Sequence, residues 1–213
     1  EMYDKMLDMG CRGMFLGIET LGHDAGKIAG KGLHPDKIKE ICNWLRDKGG
    51  DEIFILASFI VGLIGETEET LWETGRWLRD QRCLDKVQYE LLTIGDGNER
   101  QSASFGADLK KFGIEELTWE PEYYWKHSTM DLKQARKMSL EWEKLMIGHP
   151  FTAFERHHNY NTNFWAYPRL RSLGYKHKEA VVINKSMDVP SAVYEQNTRW
   201  IQNYHHRLAN KIY

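Results

Sequence analysis

Three strand-length apolar runs, residues 13–18, 53–61 and 87–94, recur along the first half of the chain with helix-patterned stretches between them. That alternation constrains the fold more than any other feature. Gly13-Met14-Phe15-Leu16-Gly17-Ile18 and Ile53-Phe54-Ile55-Leu56-Ala57-Ser58-Phe59-Ile60-Val61 are continuous rather than alternating, the pattern of strands buried on both faces of a parallel sheet. Before the first run, Met2, Tyr3, Met6 and Leu7 share a helical face that ends at Gly10. Between the first and second, after a Gly-rich stretch, Pro35 stands at a first helical position. Ile38, Ile41, Cys42 and Leu45 then make a stripe that stops at Gly49-Gly50. Between the second and third, Thr67 is a helix cap and Glu68 and Glu69 complement the helix N-terminus, while Leu71, Trp72, Gly75 and Leu78 form a packing face. The expectation is an α/β fold with a parallel sheet, in a barrel or doubly wound, whose ligands sit at the C-terminal ends of the strands.

At Gly95-Asp96-Gly97 the pattern changes, which places a boundary near residue 96. Beyond it Asp131 caps a helix with Ala135, Met138, Leu145 and Met146 as core candidates, residues 151–175 are aromatic and irregular, and residues 191–213 read as a final helix around Val193, Trp200, Ile201, Tyr204 and Leu208. No solenoid repeat or low-complexity tract appears. The 29 basic and 31 acidic side chains leave a formal charge of −2 with no single-sign block, so nucleic-acid and membrane-surface partners are not indicated. The longest apolar run, residues 53–64, is far short of the roughly 20 residues that cross a bilayer. Cysteines 11, 42 and 83 form no CxxC pair, which argues against a disulfide framework and favours a reducing, cytoplasmic setting. The chain starts at Glu1 and is expected to be a segment cut from a longer protein.

Among residues that could carry chemistry, Glu19 closes the first strand, where a carboxylate can accept hydrogen bonds from a diol or pair with an ammonium group; Lys27 and Lys31 are its basic neighbours. Ser58 is a lone hydroxyl in an apolar strand, facing either a ligand or a neighbouring backbone group. The turn Gly62-Leu63-Ile64-Gly65-Glu66-Thr67 offers backbone N–H groups at a helix start, a place for an anion, although the phosphate-loop patterns GxGxxG and GxxxxGK[ST] are absent. Nine histidines show no HExxH or other ligand spacing and read as surface or aromatic-packed side chains, so no metal ligand is assigned. Glu68-Glu69 and Glu115-Glu116 read as solvated.

Taken together, Asp8-Met9-Gly10-Cys11, Leu16-Gly17-Ile18-Glu19-Thr20, Lys31-Gly32 and Phe59-Ile60-Val61-Gly62-Leu63-Ile64-Gly65-Glu66-Thr67-Glu68-Glu69-Thr70 resemble, in order and spacing, the second half of the radical S-adenosylmethionine core. The stretch from Ser104 to Gly113 and the run Trp125-Lys126-His127-Ser128-Thr129-Met130 make the chain similar, more narrowly, to the cobalamin-binding group of that superfamily. The core resemblance covers about residues 1–95.

The resemblance implies the last three β/α units of a partial (β/α)6 TIM-like barrel in residues 1–95, followed by a mainly helical, substrate-capping extension over residues 96–213. In such enzymes a [4Fe-4S] cluster reduces S-adenosylmethionine to methionine and a 5′-deoxyadenosyl radical. By the same resemblance Glu19 contacts the ribose hydroxyls or the amino group of S-adenosylmethionine, and Lys31 meets the methionine carboxylate. Ser58 reaches the ribose, Ile60 packs on the adenine, and Gly62 belongs to the same cofactor-binding set. Implied partners are an N-terminal half carrying the cluster ligands and any cobalamin, a small-molecule substrate, and an electron donor such as flavodoxin or ferredoxin. This sequence contains no CxxxCxxC, so the segment alone is expected to be inactive, and Ile64 replaces the proline usual in the Gly-x-Pro-Gly-Glu-Thr turn. Trp119, Tyr123, Tyr124, Trp125 and His127 form an aromatic group expected either to close the barrel mouth or to pack ordinarily. The contrasting readings are a non-catalytic interaction domain that keeps the half-barrel fold, and a hydrolase or isomerase on a phosphate-binding barrel, for which only Glu19 and Glu90 offer strand-end acids. The first strand is expected to leave an open sheet edge that pairs with further strands or another copy.

Overall fold

The computed structural model describes residues 2–94, 110, 112–120, 122–147, 149, 152–156, 170–171, 173–176 and 179–180. Helix α1 (Met2–Asp8) ends as its sequence predicts: Gly10 at φ +90° donates to Leu7 O and Cys11 donates to Met6 O, the paired bonds of a Schellman cap. Strand β1 (Gly13–Glu19) follows, then a short helix α2 (His23–Ile28) that the glycines around it conceal in the sequence, since two of its turn positions are Gly22 and Gly26. Helix α3 (Pro35–Gly49) opens with His34 accepting from the Asp36 N–H and with Pro35 in its first turn, and ends at Gly50, φ +49°. Strand β2 (Phe54–Val61) leads through the glycine turn into helix α4 (Glu68–Asp80), where Thr67 and Thr70 form a reciprocal capping box. Strand β3 (Lys86–Leu91) completes the expected set.

These strands run parallel in the order β1-β2-β3, and a fourth, β7 (Ala153–Arg156), extends the sheet by pairing parallel with β3. The continuation past residue 94 differs from a mainly helical extension. Strands β4 (Ile114–Thr118), β5 (Tyr124–His127) and β6 (Met130–Asp131) form a small antiparallel sheet. Helix α5 (Leu132–Met146), capped by Asp131 and Gln134 as the sequence suggests, packs on α4, β2, β3 and β7. The compact unit consequently runs through residue 156 rather than ending near 96, because α5 and β7 complete the layer begun by the first three strands. A second unit spans residues 157–213; within it Leu173 and Tyr175 both donate to Leu170 O, and Gly174 takes φ +90°. The predicted helix over 191–213, most of the aromatic stretch 151–175, His157, His158, His205, His206 and the stretch from Ser104 to Leu109 lie outside the described residues.

Alternation sorts β2 into two faces. Ile55, Ala57, Phe59 and Val61 are fully buried and share a core with Cys42 and Leu45 of α3, Leu71 and Leu78 of α4, and Met138 and Trp142 of α5. Gly75 lets α4 and α5 approach: a Cβ there would lie 2.9 Å from the Trp142 indole, whose Nε1 donates to Leu71 O at 2.8 Å. On the opposite face Ser58 and Ile60 are only half-buried. Strand β1 departs from the both-faces-buried expectation. Among its residues Ile18 alone is buried, Phe15 is 53% exposed, and among the described strands β1 pairs only with β2. Its long apolar run serves an edge strand. Among the described residues no helix is long and apolar enough to cross a membrane.

Candidate functional site

Register places Gly17, Ser58 and Gln88 in one row across β1, β2 and β3, with Ile60 and Glu90 in the next row on the same face toward the C-terminal ends. At that end β1 carries a bulge. Gly17 opposes Ser58 but the next paired residue, opposite Phe59, is Glu19, so Ile18 is the extra residue. Glu19 takes φ +68°, and the Thr20 N–H donates to Ile18 O at 2.9 Å, which makes residues 18–20 a γ-turn of the positive-φ kind. A non-glycine residue in that region costs about 1–3 kcal/mol, and such strain concentrates at binding and catalytic positions. No sequence pattern announces it.

Lys31 reaches back from the loop after α2. Its Nζ donates to Gly17 O at 3.0 Å and to Glu19 Oε1 at 3.3 Å, with the two side chains 38% and 21% exposed. A Cβ on Gly17 would stand 2.8 Å from Glu19 Oε1 and 3.7 Å from Lys31 Nζ. Glycine at 17 therefore leaves the space into which the charged pair folds. A part-exposed ion pair contributes only about 0–1 kcal/mol, so stability does not explain the strained Glu19. The sequence-derived residues Glu19 and Lys31 are in contact, Ser58 and Ile60 share the face of Gly17, and Gly62 lies just beyond the end of β2.

Two loops are locked together beside this pair. The Thr20 hydroxyl donates to Glu66 Oε1 at 2.6 Å and accepts from the Gly22 N–H at 2.8 Å, while Glu66 Oε2 accepts from the Gly62 and Leu63 N–H groups at 2.8 and 3.0 Å. Glu66 is fully buried, and burial pushes its carboxyl up to about 7 against the opposing pull of these hydrogen bonds. The glycine turn is thus no anion cradle: the Gly62 and Leu63 N–H groups already serve Glu66.

Gly62 and Gly65 both sit at φ +92°, a conformation that only glycine takes cheaply. They are also squeezed from both sides. A Cβ on Gly65 would lie 3.0 Å from the Ala25 nitrogen at the start of α2, and one on Gly62 would lie 2.7 Å from Trp125 and 2.9 Å from Ala135. Trp125 donates from Nε1 to Leu92 O at 2.8 Å and stacks on His127 at 5.1 Å between centroids. His127 donates from Nε2 to Gly62 O at 3.0 Å, and its Nδ1 accepts from the Thr129 N–H at 3.4 Å. Burial holds the His127 imidazole below its ordinary value, which suits this neutral, Nε2-protonated form. Of the aromatic group expected either to close a barrel mouth or to pack ordinarily, Trp125 and His127 do the second, as buried anchors that dock β5 onto the glycine turn. Tyr123 bonds through its hydroxyl to Ile94, Tyr124 to Asp131, and Trp119 remains 46% exposed beside the Tyr123 ring.

Thr20 and Glu66 belong to the motifs already visible in the sequence; their contact with each other was not. Among the described residues no group of three or more His, Cys, Asp or Glu side chains could hold a metal ion. Cys42 and Cys83 are buried in the core and Cys11 is half-buried elsewhere. The thiols of this chain do not fit an iron–sulfur cluster.

The fold and site define an α/β protein whose parallel strands deliver a strained acid and its lysine to one sheet end, braced by a glycine turn. Residues 1–78, from α1 into α4, match the family model of the Radical SAM superfamily. That match supports radical S-adenosylmethionine-type function for the region, and the superfamily generally implies S-adenosylmethionine and a [4Fe-4S] cluster. No curated protein matches the chain.

Proposed function

We propose that this chain supplies one side of the S-adenosylmethionine pocket of a radical enzyme of the cobalamin-associated group, acting in methyl transfer to unactivated carbon or in rearrangement. The observation that carries this reading is the Glu19–Lys31 pair, held over Gly17 by a positive-φ turn at the C-terminal end of β1. A methionine moiety is a zwitterion and meets its complement there. The Lys31 ammonium has three donors, of which two are used, so one remains for a carboxylate. The Glu19 carboxylate keeps lone pairs free of Lys31 for an ammonium group or a ribose diol. Ser58 and Ile60, half-buried on the face of Gly17, offer a hydroxyl for the ribose and an apolar side chain for the adenine. Gly62 positions the end of β2 through its contacts with Glu66 and His127.

The cluster, when bound, supplies the electron that splits S-adenosylmethionine. Its ligands are not among these residues, so this reading assigns it, any cobalamin and docking of the electron donor to protein outside this segment. The run from Trp125 to Met130, which carries the likeness to the cobalamin-associated group, fastens the small sheet to the glycine turn beside the pocket. The test is anaerobic reconstitution of the full-length protein, with iron and sulfide analysis, cobalamin absorption and 5′-deoxyadenosine as readouts. Cluster binding with 5′-deoxyadenosine formation is expected, reduced at least tenfold by Lys31→Ala. A full-length protein that holds no cluster and leaves S-adenosylmethionine intact overturns the reading in favour of a non-catalytic interaction domain.

A further inference from the structure

Gln88 stands in the middle of β3 on the face of Gly17 and Ser58, directly opposite Ser58, while Val87 and Tyr89 on either side of it belong to the core. Gln88 is 9% exposed, and among the described residues no hydrogen bond reaches its carboxamide. The half-buried Ser58 hydroxyl beside it is likewise unbonded among the described residues. The main chain of Gln88 is taken up by the sheet, between Ser58 of β2 and Glu155 of β7. A carboxamide has two donor hydrogens and an acceptor oxygen, and burying them without partners opposes folding. Where such a group has a structural task, this fold satisfies it: Gln81, at the end of α4, donates to Leu78 O and Thr152 Oγ1 and accepts from the Leu84 N–H. Gln88 has no such bonds, and a buried polar group of that kind calls for a bound partner. Exposure falls along its row, from exposed Gly17 through half-buried Ser58 to buried Gln88. A molecule anchored by Glu19 and Lys31 and lying inward across the strands therefore meets Ser58 and Gln88 next.

We propose that Gln88 is a further ligand-binding residue, which together with Ser58 grips the vicinal hydroxyls of a nucleoside sugar and makes the site selective for ribose over deoxyribose. The proposal rests on the reading of this sheet end as a nucleoside pocket and adds to it the residue that sets sugar specificity. Neighbouring strands lie about 4.8 Å apart, so a serine hydroxyl and a carboxamide in register bracket two adjacent hydroxyls. Each sugar hydroxyl donates one hydrogen and accepts others, and the carboxamide supplies both kinds of partner from one planar end. A carboxylate or phosphate would set its oxygens against the Gln88 oxygen and leave part of the group unpaired. An analogue that lacks one hydroxyl leaves the buried carboxamide without that partner, and sites built around a hydroxyl discriminate through this loss.

The experiment titrates the full-length protein with S-adenosylmethionine and with its 2′-deoxy and 3′-deoxy analogues by calorimetry, for wild type and Gln88→Leu, and records the melting temperature of each protein without ligand. Wild type should bind at least one deoxy analogue roughly tenfold more weakly than S-adenosylmethionine. Gln88→Leu should bind S-adenosylmethionine roughly tenfold more weakly than wild type does and narrow the difference from that analogue to about threefold or less. The ligand-free Gln88→Leu protein should melt no lower than wild type, since leucine fills a similar volume and breaks no bond; a structural glutamine would give the opposite. Unchanged affinity and discrimination in Gln88→Leu, equal binding of all three compounds by wild type, or a variant that melts well below wild type overturns the proposal. Where wild type binds S-adenosylmethionine and Lys31→Ala weakens it, such a failure leaves the pocket reading standing. A wild-type protein that binds none of the compounds overturns both.

Discussion

Glu19 is the residue at which local preference and the observed structure disagree most plainly. Its φ of +68° is strained for any side chain with a Cβ, whereas glycine adopts it without penalty. Glu19→Gly is therefore expected to raise stability by about 0.5–1 kcal/mol in urea denaturation while removing S-adenosylmethionine binding. Unchanged or lower stability would show that the turn is not strained. Glu66 makes a second residue-scale prediction. Its folded pKa, about 7, lies above the ordinary carboxylate value, so the folded state holds the proton more tightly than the unfolded chain. Its contribution is fully present below the unfolded value near 4.3 and is lost as pH rises through 7, by an amount on the order of 3–4 kcal/mol. His127 has the opposite sign, since its depressed value makes stability fall as pH drops below about 6.5. Comparing wild type with Glu66→Gln isolates the carboxyl: the wild-type stability minus that of the variant should shrink from pH 5 to pH 8. A constant difference would remove the buried-carboxyl account.

At the scale of elements, the glycine turn after β2 joins the parallel sheet to the rest of the unit. Gly62→Ala forces a Cβ into a positive-φ position and against Trp125 and Ala135, so about 2–4 kcal/mol of destabilisation is expected in the same denaturation assay. A cost below 1 kcal/mol would mean that the docking of Trp125 on this turn is loose. The elements that the sequence disclosed are those with local signals. Apolar runs marked β1, β2 and β3, Thr67 and Asp131 marked the starts of α4 and α5, and Gly10 marked the end of α1. What stayed hidden has a physical reason in each case. Helix α2 is six residues long with a glycine inside it, too short and too glycine-rich for a periodic stripe. Strand β7 has four residues and gains its identity by pairing with β3, which lies far earlier in the chain. Of the candidate site, Glu19 and Ser58 stood out by their places in apolar strands, and Lys31, Ile60 and Gly62 entered as binding residues through the family resemblance; the bulge at Ile18, the turn at Glu19 and the Thr20–Glu66 bond are long-range or backbone facts that spacing does not encode.

For the molecule as a whole, the sheet ends at β1 with a free edge among the described residues, bearing the exposed side chain of Phe15. An edge of that kind recruits further strands. The chain on its own is expected to self-associate with rising concentration in sedimentation velocity, and Phe15→Lys should reduce that association; a monodisperse monomer at high concentration would contradict it. The same edge carries Glu19, which pairs with Lys31, so on the proposed reading a strand added there would border the S-adenosylmethionine site. The central claim is that this sheet end binds the amino-acid end of S-adenosylmethionine. Its most direct test is calorimetric titration of the full-length protein with S-adenosylmethionine, wild type against Lys31→Ala and Glu19→Gln. Affinity falling at least tenfold in each variant, with both still folded, is the predicted result; equal affinity in all three proteins would contradict the claim.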